Sequence, residues 1–435
     1  MNKSMNKLED KLMPIANAIS QNRYLVAIRD GFMTATPLLI IGAMFLLFSN
    51  FPIKGYSEFM TKVFGENWSI FFDRPFETTM AIMTIFVVLG ISYNLAKHYE
   101  LDGLSTAVIA LVSFLVLTPF VTDFTPEGSK EIFKVGNVIP IEWMGSKGLF
   151  VGIITAILST EIVRFVVKKG WVIRMPEGVP PSVSKSFSAL IPAIITILLF
   201  DVVRLLFSIT PFETIHNFIF KILQAPLTNL GGTLGATLLA NLLIGLLWSF
   251  GIHGRSIVGA IMDPIWLALS AENLAAYQAG KSLPHIITGQ FQEIYLQLGG
   301  TGSTLALCIA LILVCKSKRC KQIGKLSIVP GLFNINEPVV FGLPIVLNPI
   351  MLIPYIATPL VLCVISYFAI SVGFVPRPNG ILVPWTTPPV IGGFLMAGVR
   401  GSLLQIVELV VSFFIYLPFV KAVDKQYVKE EQLDA

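Results

Sequence analysis

One carboxylate stands alone over a long apolar stretch: between Lys325 and Arg377 the only charged side chain is Glu337, in Phe333-Asn334-Ile335-Asn336-Glu337-Pro338. An ionisable group at membrane depth costs on the order of 3 kcal/mol on insertion scales, so its position is a functional-site hypothesis in itself. A carboxylate there can accept a hydrogen bond from a substrate hydroxyl or take its proton; holding a hairpin together is the plainer role. Asn336 beside it can supply amide bonds to hydroxyls or cap the hairpin. His253 is the second acid–base candidate, in Trp248-Ser249-Phe250-Gly251-Ile252-His253-Gly254-Arg255-Ser256. An imidazole orients or deprotonates a hydroxyl near neutral pH, and the flanking glycines let the backbone bend or approach a ligand closely. Its alternative is a histidine satisfied by a backbone carbonyl at a helix junction.

Gly299-Gly300-Thr301-Gly302-Ser303-Thr304 opens an apolar run. Its amides and small side chains suit a ligand oxygen or an anion at a helix start, and equally suit tight helix packing. No Gly-Lys-Ser/Thr follows, so it is not a nucleotide phosphate loop. Trp248 and Trp385 are candidate platforms for the apolar face of a sugar ring, or membrane-interface anchors. Arg255 reads as a phosphate or partner contact, or as an anchor of the same kind. Cys308, Cys315, Cys320 and Cys363 lie in or beside apolar runs without CxxC or Cys/His metal spacing, which favours packing over a disulfide framework. With no nucleophile triad and no nucleotide fingerprint, neither a metal nor a cofactor is expected.

These groups must be positioned by membrane elements. The chain has 435 residues, 54% of them hydrophobic and 13% charged, against roughly a quarter charged in soluble domains. The net charge of +5 is spread over short loops, which excludes a nucleic-acid surface. The expected fold is all-α and membrane-integral, with an amphipathic helix over 8–19 lying on the membrane surface. About ten spans follow, near 24–49, 77–96, 104–122, 148–168, 186–209, 232–252, 256–271, 299–315, 350–373 and 401–420. With an N-terminus in the cytoplasm, cytoplasmic stretches hold 19 Lys and Arg and external ones 9, so both termini are expected inside. Residues 331–349 and 376–393 carry too many Pro and Gly for straight helices. They read as re-entrant hairpins, the kind of broken element with which transporters build sites. A boundary near 225–231 separates an N-terminal domain, 1–225, from a C-terminal domain, 226–435, that holds nearly all the broken elements.

Assembled, these residues resemble the membrane-spanning IIC components of the bacterial sugar phosphotransferase system, in the lactose/cellobiose/diacetylchitobiose branch. The resemblance runs end to end. It rests on Leu25 to Phe32, Pro176-Glu177-Gly178-Val179-Pro180-Pro181, His253-Gly254 with Ser256 to Gly259, Gly299 to Leu305, Phe333 to Pro338, and Leu382-Val383-Pro384-Trp385-Thr386-Thr387-Pro388. It implies a homodimer in the bacterial cytoplasmic membrane, with the first domain as scaffold and interface and the second holding a β-linked disaccharide. The sugar would be phosphorylated at its 6-hydroxyl by a phosphocysteine on a IIB protein supplied by IIA, both separate polypeptides, since no soluble domain follows the last span. Glu337 and His253 would lie near that hydroxyl, with Asn336, Trp248, Trp385 and the Gly299–Ser303 turn as sugar contacts. An ion-coupled secondary sugar transporter with Glu337 as its proton site is the competing expectation.

Overall fold

The computed structural model describes Ala18 and residues 21–51, 53, 55–126, 131–176, 178–345 and 348–433. The surface helix expected at 8–19 falls outside these residues, Ala18 apart. The described chain is helical throughout, except for loops and one short hairpin, β1 (Val121–Phe124) with β2 (Phe133–Gly136), paired antiparallel with Val121 opposite Gly136. By length and composition seven helices could cross a membrane, or eight if Ile215–Gly231 and Leu234–Ser249, bent by 75°, form one span. The other two expected spans coincide with shorter helices, Gly103–Leu117 and Leu305–Leu313.

The chain divides into two compact units: Gln21–Gly42 with Arg74–Leu227, and Ala43–Asp73 with Thr228–Ala435. The first unit takes the start of α1 (Arg23–Ser49), then α2 (Met83–His98), α3 (Gly103–Leu117), α4 (Leu149–Lys168) and α5 (Leu190–Ser208). Apolar side chains cannot by themselves drive helices together in lipid, so close approach and polar pairs decide the packing. Gly31 and Gly90 supply the approach. A β-carbon on Gly31 would sit 2.6 Å from Ile91 N, and one on Gly90 2.7 Å from Gly31 O. Ser92 Oγ and Thr160 Oγ1, 2.8 Å apart, supply a buried polar pair between α2 and α4. Asp102 caps α3 by accepting Ser105 N–H at 2.9 Å. His216 is buried against the rings of Trp143 and Phe114.

The second unit contains α6 (Leu234–Ser249), α7 (Gly254–Gln278), α8 (Leu305–Leu313), α9 (Lys318–Leu332), α10 (Glu337–Gly342), α11 (Pro349–Ser371) and α12 (Ile391–Leu433). The span expected at 299–315 loses its first turns because Gly299, Gly300 and Gly302 take φ of +83°, +90° and +83°, a left-handed backbone that glycine alone adopts freely. The basic stretch 316–325, expected as a loop, is mostly the start of α9. That helix folds back on α8, its Gly324 admitting Leu311 and Ile312. α12 is longer than the expected 401–420 and is broken at Ala397–Gly398. Residues 372–390 form no helix.

Candidate functional site

Three irregular segments of the second unit are fastened together by asparagine side chains. The first is the turn from Gly299 to Thr304. Ser303 N–H bonds back to Gly300 O at 2.9 Å, Thr304 Oγ1 donates to Gly299 O at 2.6 Å, and Leu305 N–H reaches Leu298 O at 3.1 Å. The second is Phe333–Asn336, between α9 and α10. Asn334, itself left-handed at φ +62°, accepts Gly299 N–H at 2.8 Å on Oδ1. Its Nδ2 donates to the third segment, to Trp385 O at 2.5 Å and Thr387 O at 3.1 Å. Asn336 Nδ2 donates to Thr301 O at 2.6 Å. Gly300 has to be glycine for this closure, because a β-carbon would lie 2.7 Å from Asn336 Cγ and 2.8 Å from Asn334 O.

This arrangement presents Glu337 as the first residue of α10, exposed, with Asn336 buried behind it. The lone carboxylate is therefore not enclosed within its own chain. It forms no hydrogen bond or ion pair among the described residues. Trp385, 46% exposed, offers its indole while its carbonyl is tied to Asn334. Thr301 and Gly302 line a small cavity of about 10 Å³, together with Asn241, Ile244, Gly245 and Tyr355, which is room for about one water. Ser303, by contrast, is buried, with φ +56° and its hydroxyl donated to Leu296 O at 2.8 Å. Its side chain is committed to the turn.

α6 continues this site toward the histidine. Ile244 and Gly245 line the cavity, and Trp248, on the same face one turn on, lies with its ring 4.7 Å from that of His253. Gly254 meets the backbone of Ile244, where no side chain would fit. His253 is exposed and caps α7: Nδ1 faces Ser256 N at 3.2 Å and Ser256 Oγ at 2.8 Å. The ring is thereby oriented. Arg255 points elsewhere, its guanidinium bonded to Asp263 at 2.9 Å and to Glu293. A cation doubly paired in this way is a structural node before it is a phosphate ligand.

Sequence reasoning passed over several polar groups that hold the broken segments. Asn241 and Gln292 exchange two buried amide bonds of 2.9 Å. Gln290 Oε1 accepts Val383 N–H at 2.8 Å. Gln405 accepts Val390 and Gly393 N–H and donates to Ile294 O, each at 2.6 Å. The available signal was an amide inside an apolar run, because non-helical backbone at membrane depth must find its partners within the protein. Glu408 of α12 was also passed over: it is fully buried and hydrogen-bonded with Ser366 of α11.

Comparison with known proteins places this geometry. Residues 29–359 match the family model described as "Phosphotransferase system, EIIC". The "Lichenan permease IIC component" of Bacillus subtilis (strain 168) is 48% identical over 433 residues, 99% of this chain and 96% of that protein. The "PTS system cellobiose-specific EIIC component" of Geobacillus stearothermophilus is 47% identical over 438 residues, covering 100% of this chain and 97% of that protein. The crystal structure of the transporter ChbC, the IIC component from the N,N'-diacetylchitobiose-specific phosphotransferase system, aligns with a TM-score of 0.95 at 48% identity, over 98% of this chain and 99% of that one.

Proposed function

The chain belongs to the EIIC family of the phosphotransferase system, and from that premise we propose that it binds a β-linked disaccharide and carries it across the bacterial cytoplasmic membrane for phosphorylation. The phosphate donor is a phosphocysteine on a separate IIB protein, recharged by IIA, and the acceptor is the 6-hydroxyl of the non-reducing sugar. The relatives named for lichenan, cellobiose and N,N'-diacetylchitobiose support that substrate class. The observation that carries the site assignment is Glu337 itself: exposed at the head of α10, with its carboxylate unbonded among the described residues, while Asn334 and Asn336 hold the backbone on which it sits.

Attack of a hydroxyl on phosphorus needs alignment and a place for the proton. Glu337 accepts the 6-hydroxyl proton or fixes the hydroxyl for attack, and His253, braced by Trp248 and Ser256, orients it. Trp385 stacks on the sugar face, and Asn336 with the Gly299–Gly302 turn lines the pocket. The N-terminal domain is the scaffold and homodimer interface, the C-terminal domain carries the sugar, and both termini face the cytoplasm, as the distribution of Lys and Arg supports.

The test is sugar-phosphate formation by membrane vesicles given phosphorylated IIB. Glu337→Gln retains disaccharide binding within about tenfold and loses phosphorylation by roughly 10²–10⁴, the range of a lost acid–base group. Normal phosphorylation by that variant overturns the assignment. Uncoupler-sensitive uptake of unmodified sugar would establish the ion-coupled reading in its place.

A further inference from the structure

Two of the four cysteines do more than pack. The joint between α8 and α9 carries Cys315, 2% exposed, and the first turn of α9 carries Cys320, fully buried. Their sulfurs and a carboxylate oxygen of Asp424, from α12, all lie within 4.8 Å of one another. The frame around them is built from backbone. Asp424 accepts Lys316 N–H at 2.9 Å and Ser317 N–H at 2.8 Å, from 107 residues away in the latter case. Ser317 caps α9 through Cys320 N–H at 3.2 Å and donates to Glu431 Oε1 at 2.7 Å. Glu431 in turn accepts Lys318 and Arg319 N–H at 3.2 and 3.0 Å. The three donor atoms are thus placed without help from any ligand.

Two thiols and a carboxylate form a donor set that suits a borderline-soft, closed-shell divalent ion. The Cys-x4-Cys spacing, set aside in the sequence because it is neither CxxC nor a Cys/His pattern, is within the range of zinc-binding cysteine pairs; the third donor, on another helix, is invisible in the sequence. Two thiolates, a carboxylate and a divalent cation leave one net negative charge. The positive end of the α9 dipole counters it.

We propose that Cys315, Cys320 and Asp424 form a binding site for one zinc-class divalent cation. Binding releases the two thiol protons to solvent, forms two metal–sulfur bonds and one metal–oxygen bond, and needs no oxidant. The site stands at the closed end of the α8–α9 pair. The open end of that pair leads into the Gly299–Thr304 turn and into Asn334–Glu337, so an ion here ties the root of the proposed sugar site to α12.

The test uses the full chain, purified in detergent and reduced, titrated with Cd²⁺ as a probe that reports thiolate ligation by near-ultraviolet charge-transfer absorption, and with Zn²⁺ as competitor. One ion per chain is expected. Cys315→Ser and Cys320→Ser each weaken binding at least tenfold, a loss at the lower end of that seen even for outer-shell partners of a metal, and each lowers the thiolate absorption. Cys308→Ser and Cys363→Ser leave both unchanged. Absence of the charge-transfer band in the unsubstituted protein, or binding that survives the double serine variant, overturns the proposal. So does a Cys315–Cys320 disulfide in protein isolated without reductant. If the serine variants fail to fold, alkylation of the unsubstituted protein decides. Zn²⁺ must slow modification of Cys315 and Cys320, and equal rates with and without it refute the site.

Discussion

Asn334 makes the most demanding prediction, because a single amide joins three segments of the proposed sugar site. Its side chain holds Gly299 N–H, Trp385 O and Thr387 O at 2.8, 2.5 and 3.1 Å. Asn334→Gly keeps the left-handed backbone and removes all three bonds. At about 0.6–1 kcal/mol for each bond in a membrane protein, the closed arrangement loses about 2–3 kcal/mol, or roughly 30–150-fold in its equilibrium. Asn334→Ala loses the same bonds and adds about 1 kcal/mol, because φ is +62° and alanine is strained there. The assay is equilibrium binding of the tightest disaccharide from a radiolabelled panel, with hydrogen exchange over 299–304 as a local readout. Both variants should bind at least about thirtyfold more weakly, alanine worse than glycine, with faster exchange in that turn. Binding by a folded Asn334→Gly variant within twofold of the unsubstituted protein refutes the claim that this amide assembles the site.

Three further outcomes follow from the packing. Arg255→Met strands Asp263 and Glu293; since those side chains are 42% and 23% exposed, the loss is about 2 kcal/mol rather than the 3–5 of a fully buried pair. Adding Glu293→Gln restores part of it in a detergent melting assay. Gly31→Leu drives a side chain into the backbone of Ile91, 2.6 Å away for the first carbon alone. It should lower the melting temperature by several degrees, whereas Leu38→Ala on the exposed face of α1 should not. The Ser105 side chain and then its N–H hold Asp102 below the usual carboxylate range. Its stabilisation is therefore present above the unfolded carboxylate pKa near 4 and disappears as pH falls through the lower folded value. Asp102→Asn keeps the cap but should flatten the acid limb of the melting curve below the unfolded carboxylate pKa near 4, a change that melting at fixed ionic strength detects.

Where apolar runs are long and uninterrupted, sequence and structure agree closely: the run 24–49 becomes Arg23–Ser49 and 148–168 becomes Leu149–Lys168. Agreement fails where backbone conformation outweighs hydropathy. The three left-handed glycines turn the start of the 299–315 span into a tight, non-helical turn. The basic residues from Lys318 to Lys325 ride on a helix because Glu431, more than a hundred residues on, and Ser317 satisfy its first amides, while Asp424 holds the two amides just before it. Glu337 could be found from its isolation in the sequence; its exposure could not, since that depends on Asn334 and Asn336 pulling the neighbouring backbone inward. Glu408 carried the same signal as Glu337, a lone carboxylate within the apolar span 401–420, and was overlooked; its partner Ser366, 42 residues away, could not be read from the sequence.

Asn334 and Asn336 grip main-chain atoms, never the side chains of Thr301, Trp385 or Thr387. Among the described residues those three side chains therefore make none of the bonds by which the asparagines hold the site together. On the proposed reading of the site, substitution at 301, 385 or 387 redraws the surface offered to a sugar while the bonds that hold the loops around Glu337 stay in place.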